Sequence, residues 1–361
     1  MFLIRIKNVN KSVQGDNSVH KYKNGKERRR LPRPSITNMS SQEGMEMNIA
    51  IDTGNKSIKT KHSTFVAGIT ERATEPTTSA KTDWIRYEGK YYVLSGNRGE
   101  YMKDKTINDR YFILSLFAIA KELEVAEASR KIPLVNNEIQ NISLLVGLPP
   151  AHMEDRELKK KFQRYFHTDE PVQVYYNGRT WLIDVKSVRV YAQCFAALMS
   201  RPDILAKHRR ILGIDIGGLT SDYMEFINGK INPDHTDSME NGVIPFYRAV
   251  QSECRKKFDA ILDEAAIDEM LLGEPGLYDD EMIEVVKKNA EKYTDKYLAA
   301  FREMGIDLKN TYVVFMGGGS ILLWEFIQKS SLLKNFTLIS DVKANAIGYD
   351  VIYRNMSRNV G

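Results

Sequence analysis

The chain has 361 residues, 42% hydrophobic and 27% charged. That is enough apolar material for a sizeable core, so a wholly disordered chain is excluded and one large or two ordinary domains are expected. The formal net charge is +5, but residues 1–46 hold ten Lys/Arg against four acids, and the remaining 315 residues sum to −1.

Residues 1–46 add Asn, Ser and Pro (LPRPS at 31–35) to that charge and cannot fold alone. They read as a basic, flexible extension, either an arm for nucleic acid or a leader without a role, since Met47 opens a well-formed strand. The start is broken by Arg5 and Lys7 and lacks the apolar core of a secretory signal. The next elements are a short apolar strand, Asn48–Asp52, ending on an acid, and the turn cluster Asp52-Thr53-Gly54-Asn55. Thr64–Ile69 is a further strand, and 84–95 a hairpin turned at Glu88-Gly89-Lys90. Residues 109–124 have helical spacing. Their apolar run, Phe112–Ala120, is too short to span a bilayer, so no membrane association is expected. Asn141–Val146 is a buried strand, Glu154–Phe166 a charged amphipathic helix, and Val172–Val185 a hairpin turned at Asn177-Gly178. Ser187–Tyr191 reads as a separate strand and 192–208 as a helix.

A second unit starts with the apolar strand Arg210–Asp215, again ending on an acid. It turns at Gly217-Gly218 and returns as Ser221–Ile227, with a further hairpin turn at Asn228-Gly229. Helices are predicted over 242–272 and 279–304, broken at 273–276. Then come the buried strand Thr311–Met316, three glycines, a helix over 320–330, a short strand Phe336–Ile339 and a closing helix Ala344–Met356. Strands mixed with helices throughout argue an α/β class with helices covering a sheet. The two strand–turn–strand units share one plan and lie 163 residues apart, from Asp52 to Asp215. That spacing suggests two similar domains facing a cleft.

Three segments carry candidate chemistry. In DTGNKSIK (52–59), small residues let backbone N–H groups approach a phosphate, a cation follows, and the acid suits Mg²⁺ held through water. DIGGLTSD (215–222) repeats the acid, two glycines and a hydroxyl. Gly317-Gly318-Gly319-Ser320 follows a strand and precedes a helix, where a flat group can lie against the backbone. Each has a plain alternative, an ordinary turn or a tight strand cap. Cys194 and Cys254 cannot make a disulfide framework or a CxxC metal site, and a reduced cytoplasmic setting is the default. Cys194 reads as a small buried residue, Lys256 and Lys257 as a solvated pair, and His152, His167, His208 and His235 as surface residues. No GxxxxGK[ST], HExxH or GxSxG is present, so P-loop, zincin and acyl-transfer chemistry has no support.

Taken together and in this order, the three segments resemble the actin/sugar-kinase/heat-shock-chaperone ATPase superfamily. LLVGLPP (144–150), VRVYAQ (188–193) and ANAIGY (344–349) bring the resemblance to the bacterial actin-like ParM/StbA plasmid segregation proteins, over about residues 47–356. It implies an actin-like two-domain ATPase fold, each domain a mixed sheet flanked by helices, with the nucleotide cleft between them. Domain I would be 47–208 plus 341–361 and domain II 209–340. The resemblance assigns Asp52 and Asp215 to the water shell of Mg²⁺. Thr53, Gly54 and Asn55 would bind phosphate. Lys59 would reach the β- and γ-phosphates, with Lys56 the less favoured choice. Gln193 would position the attacking water. Gly217, Gly218 and Thr220 would hold the γ-phosphate side, with Asp222 behind them. Gly317, Gly318 and Gly319 would contact adenosine. ATP is the implied nucleotide, with GTP possible. The implied function is a dynamic filament that segregates plasmid DNA through a DNA-bound adaptor, by self-association and without direct DNA binding by the near-neutral body. A non-polymerising small-molecule kinase of the same superfamily is the alternative, but the residues after Gln193 (Cys194, Phe195, Ala196) offer no acid to activate a substrate hydroxyl. A chaperone-type ATPase and a basic-arm nucleic-acid binder with a nucleotide switch rank lower.

Overall fold

The computed structural model describes residues 46–77, 83–130, 138–274 and 276–358. Of the basic extension, all but Glu46 lies outside them. In chain order the elements are β1 (Met47–Thr53), β2 (Ser57–Thr60), β3 (Thr64–Val66), β4 (Ile69–Arg72), β5 (Trp84–Tyr87), β6 (Lys90–Leu94), α1 (Arg110–Arg130), β7 (Ile139–Leu148), α2 (Arg156–Phe166), β8 (Val172–Tyr176) and β9 (Arg179–Ala192). They continue with α3 (Phe195–Met199), α4 (Pro202–Lys207), β10 (Arg210–Ile216), β11 (Ser221–Ile227), β12 (Lys230–Met239), α5 (Val243–Phe258), α6 (Glu264–Leu272), α7 (Asp280–Glu303), β13 (Tyr312–Met316), α8 (Gly317–Leu322), α9 (Trp324–Lys329), β14 (Asn335–Leu338) and α10 (Ala344–Arg358).

Two mixed sheets organise the chain. The first runs β3-β2-β1-β7-β9-β8-β5-β6-β4 and the second β12-β11-β10-β13-β14. Each contains a parallel set, β1-β7-β9 in the first and β10-β13-β14 in the second, to which antiparallel hairpins are added. β3 and β4 adjoin in sequence yet lie at opposite ends of the first sheet, which therefore curls back on itself.

Side-chain alternation sets the layers. On β1, Ile49 and Ile51 enter the core against α1, while Ala50 packs with Ala346 and Tyr349 of α10. On β10, Leu212, Ile214 and Ile216 face α5 and α7, while Ile211 faces Leu198 of α3 and Ala344 of α10. Helices α3 and α10 thus contribute apolar residues to the inner faces of both sheets. Residues 111–120 of α1 are buried on every side, so this helix has no solvated face there.

Several sequence expectations are corrected. Thr64–Ile69 divides at Ala67-Gly68 into β3 and β4. Val172–Val185 and Ser187–Tyr191 are not separate beyond the turn: β9 runs unbroken through both, because its register with β7 skips Lys186 and parallel pairing continues. The helix expected over 192–208 is two short ones, the second opened by Pro202. That over 242–272 ends at Asp259 (φ 52°) and restarts behind Asp263, whose carboxylate accepts from Ala266 N at 2.8 Å. The glycine run lies inside the first turn of α8 rather than ahead of it. The turns at Glu88-Gly89, Asn177-Gly178 and Asn228-Gly229 form as expected, both residues of each at positive φ.

Candidate active site

The same alternation that places Ala50 and Ile211 puts Asp52 and Asp215 on the inner faces of the two sheets, at the C-terminal ends of their strands. Both are almost fully buried. Each begins a hairpin in which the seventh residue onward returns directly opposite: Lys59 pairs with Asp52 across β1 and β2, and Asp222 with Asp215 across β10 and β11. The internal repeat therefore extends to side-chain register, with a lysine in one hairpin where the other has an acid.

The consequences are electrostatic. Lys59 Nζ donates to Asp52 Oδ2 at 3.2 Å. Burial alone would lower the Lys59 pKa, but Asp52 and Asp215 together hold it above the usual lysine value. In the other hairpin two acids face each other. Burial, then the Asp52 charge, raises Asp215 to about 6; burial, then Asp215, raises Asp222 to about 8.

Two amides from the inner layer hold the acids. Gln193, just past β9, donates from Nε2 to Asp52 Oδ1 at 2.8 Å. Asn345, in the first turn of α10, donates to Asp215 Oδ2 at 2.7 Å and accepts from Cys194 N at 3.1 Å. Gln193, Cys194 and Asn345 thus link the acid of one sheet to the acid of the other. Cys194 sits at φ 61°, a strained backbone beside the site. Burial pushes its thiol well up, so it is a packing residue as expected. The rest of ANAIGY is packing: a Cβ on Gly348 would collide with Ala196 O, and Tyr349 covers Gly147.

The first turn is stitched tightly. A Cβ on Gly54 would lie 2.6 Å from Ser57 O. Asn55 Oδ1 accepts from Tyr111 Oη at 2.7 Å, and Thr53 O accepts from Lys105 Nζ. Lys56 points away from the acids and donates to Tyr247 Oη (2.5 Å) and Asp268 (2.8 Å) of the second half. In the second turn, Gly217 N donates to Thr220 O at 2.9 Å, and the Gly217 and Gly218 carbonyls accept from Val243 N and Ile244 N at the start of α5. Gly218 lies against the Lys56 backbone, so the two turns meet. Gly317 adopts φ +85°, and a Cβ there would strike Asp215 Oδ1; one on Gly319 would lie 2.5 Å from Ile216 Cγ2. Of the three glycines in this run, Gly318 alone has open space where a Cβ would stand.

Nothing in the sequence marks Lys105, Arg98 or the hydrogen bonds of Asn345, although Asn345 lies within ANAIGY. Arg98 donates from Nε and Nη2 to Glu264 at 2.8 to 3.3 Å, across a groove of about 860 Å³ also lined by Lys56, Arg248 and Asp268. His152, His208 and His235 are partly buried rather than surface residues; His235 Nδ1 lies 2.7 Å from buried Glu225. Lys256 and Lys257 are exposed, Lys257 pairing with Glu281.

Among the described residues no cluster of His, Cys, Asp or Glu could by itself cage a metal. Asp52 and Asp215, with the buried and unpartnered Thr53 Oγ1 and Asp222 Oδ1, are hard oxygen donors. That set fits a Mg²⁺ that keeps its waters and takes further ligands from phosphates.

Residues 50–195 match the family model of the actin-like proteins' N-terminal domain, and 213–329 match that of the archaeal actin homologue MreB-like C-terminal domain. The chain has an actin-like fold. The archaeal actin homologue Ta0583 covers 85% of this actin-like chain with 99% of its own, at 17% identity and TM-score 0.66. The ParM of a 15-stranded filament from Clostridium botulinum covers 86% with 99% of its own, at 17% identity and TM-score 0.61. Bacillus thuringiensis ParM with AMPPNP covers 86% with 98% of its own, at 13% identity and TM-score 0.56. No curated protein sequence matches the actin-like chain. None of its described helices is long and apolar enough to cross a membrane.

Proposed function

We propose that this chain is an ATPase that assembles with ATP into dynamic filaments and segregates plasmid DNA through a separate DNA-bound adaptor. The observation that carries the reading is the pair of buried acids, Asp52 and Asp215, at equivalent hairpin positions of two sheets and linked through Gln193 and Asn345. The lobes we assign are 47–208 with 341–361, and 209–340; the packing of α10 on β1 and β7 supports placing the C-terminus with the first.

Phosphates would lie between the two turns, bound by backbone N–H groups of 53–55 and 218–220 with Lys59 as cation, while Gly318 offers the open face for the nucleoside. Asp52 and Asp215 would hold Mg²⁺ through water; when bound, it neutralises phosphate charge as the bond to the leaving oxygen breaks. With Gln193 Nε2 committed to Asp52, its Oε1 is left to accept a hydrogen from the attacking water. An amide is no base, so its part is orientation. GTP in place of ATP is compatible with these contacts. A body near neutral charge suits self-association better than phosphate-backbone binding, which supports an adaptor for the DNA.

The test is 90° light scattering of the pure protein with Mg²⁺-ATP, with phosphate release followed in the same cuvette. The expected result is a scattering rise that decays as phosphate appears. Phosphate release with flat scattering would replace the filament by a non-polymerising enzyme, and a screen of hydroxylated acceptors would follow.

A further inference from the structure

On the nucleotide reading of the cleft, we propose that Lys105 recognises the terminal phosphoryl group of a bound nucleoside triphosphate. Lys105 lies in the irregular segment between β6 and α1, outside every motif. Its position is fixed by its neighbour: Asp104 accepts from Thr106 N (2.9 Å) and Thr106 Oγ1 (2.6 Å) with one oxygen and from Lys161 of α2 (2.6 Å) with the other. The Lys105 ammonium then reaches the first turn and donates to the Thr53 carbonyl, 5.4 Å from the centre of the Tyr111 ring.

The charges around it come from both halves. Asp52 and Asp222 attract it, Lys59 repels it, and His152 lies close enough to feel it. Yet among the described residues no carboxylate pairs with it. The two lysines of the first hairpin both have carboxylate partners, Lys59 in Asp52 and Lys56 in Asp268. An ammonium has three donors, and here one is satisfied, by a neutral carbonyl. Lys105 is only partly exposed, and a cation so placed without a carboxylate partner is stabilised by an anion delivered beside it. Thr53 Oγ1, a hydroxyl that can donate, is buried and unpartnered in the residue whose carbonyl Lys105 touches. Position, charge and unused donors point to an anion between the two turns, where a γ-phosphate would lie and which a diphosphate would not reach.

The experiment is calorimetric titration of the full chain with Mg²⁺-AMPPNP and with Mg²⁺-ADP, for wild type, Lys105→Met and Lys105→Arg. Loss of one charge-assisted contact should weaken AMPPNP roughly 10- to 100-fold in Lys105→Met while ADP stays within about twofold. Lys105→Arg should recover part of the loss. Equal weakening of both nucleotides would make Lys105 a prop for the turn, and no weakening of either would leave it idle; each result overturns the proposal. If the wild type binds neither nucleotide, the site reading itself falls and Lys105 with it. Should Lys105→Met fail to fold by circular dichroism, Lys105→Gln carries the same comparison.

Discussion

Gln193 and Asp52, 141 residues apart, are joined by a 2.8 Å hydrogen bond from the amide to the carboxylate. The bond fixes the amide, so Gln193 is held in place before any water arrives. Gln193→Ala should therefore slow phosphate release by roughly one to three decades, the scale of one positioned group. Nucleotide affinity should change little, and any assembled state should persist longer. Single-turnover phosphate release beside scattering decay checks this; assemblies that vanish faster than wild type would remove the water-positioning role.

Asp215 and Asn345 should separate chemistry from folding. Asp215→Ala removes a charge whose burial is costly, so the variant should fold while turnover is abolished. Asn345→Ala leaves the Cys194 N–H and an Asp215 oxygen without their partner, at a cost of about 1–3 kcal/mol. Urea denaturation and phosphate release on both variants test the split. Normal turnover in Asp215→Ala would remove the assigned site.

Asp222 gives a pH dependence with a definite sign. Burial and the facing Asp215 raise its pKa from 3.8 to about 8. Between about pH 4 and pH 8 the native protein keeps a proton that the unfolded chain has released, so this group makes stability fall as pH rises through that window. Asp222→Asn removes the liability. The nucleotide-free variant should melt higher than wild type at pH 8, by a margin that shrinks towards pH 4. Thermal melts across that range decide it, and a constant margin would locate the effect in packing.

The fold was legible where local chemistry dictates it. Asn177-Gly178 and Asn228-Gly229 announce tight hairpins because few residues tolerate both positive φ angles, and the strand-ending acids of the two hairpins emerged from apolar runs that stop on Asp. What escaped depends on tertiary context. The single strand β9 needs the β7 partner that carries pairing past Lys186. Lys105 lies in a segment with no periodicity, positioned by Asp104 and α2, and nothing local distinguishes it from Lys103, which is exposed and pairs with Glu240. The resemblance gives Gly317 and Gly319 to adenosine, and the close approach of Asp215 and Ile216 requires glycine at both positions in any case.

The groove beside the first turn is spanned by the Arg98–Glu264 ion pair, and the exposed Lys103–Glu240 pair outside it serves as the control in a graded test of cleft opening. Arg98 meets Glu264 through Nε and Nη2 with both side chains about four-fifths buried, whereas Lys103 and Glu240 are largely exposed. Lys56, part of the first turn, shares Asp268 with Tyr247. A mostly buried guanidinium–carboxylate pair is worth about 1–2 kcal/mol, an exposed lysine pair next to nothing. Arg98→Ala should thus release a fluorescent ADP analogue roughly 5- to 30-fold faster in stopped flow. Lys103→Ala should leave the rate unchanged, and high salt should accelerate the wild type towards Arg98→Ala. Equal rates in Arg98→Ala and wild type would mean that the groove does not limit nucleotide exit.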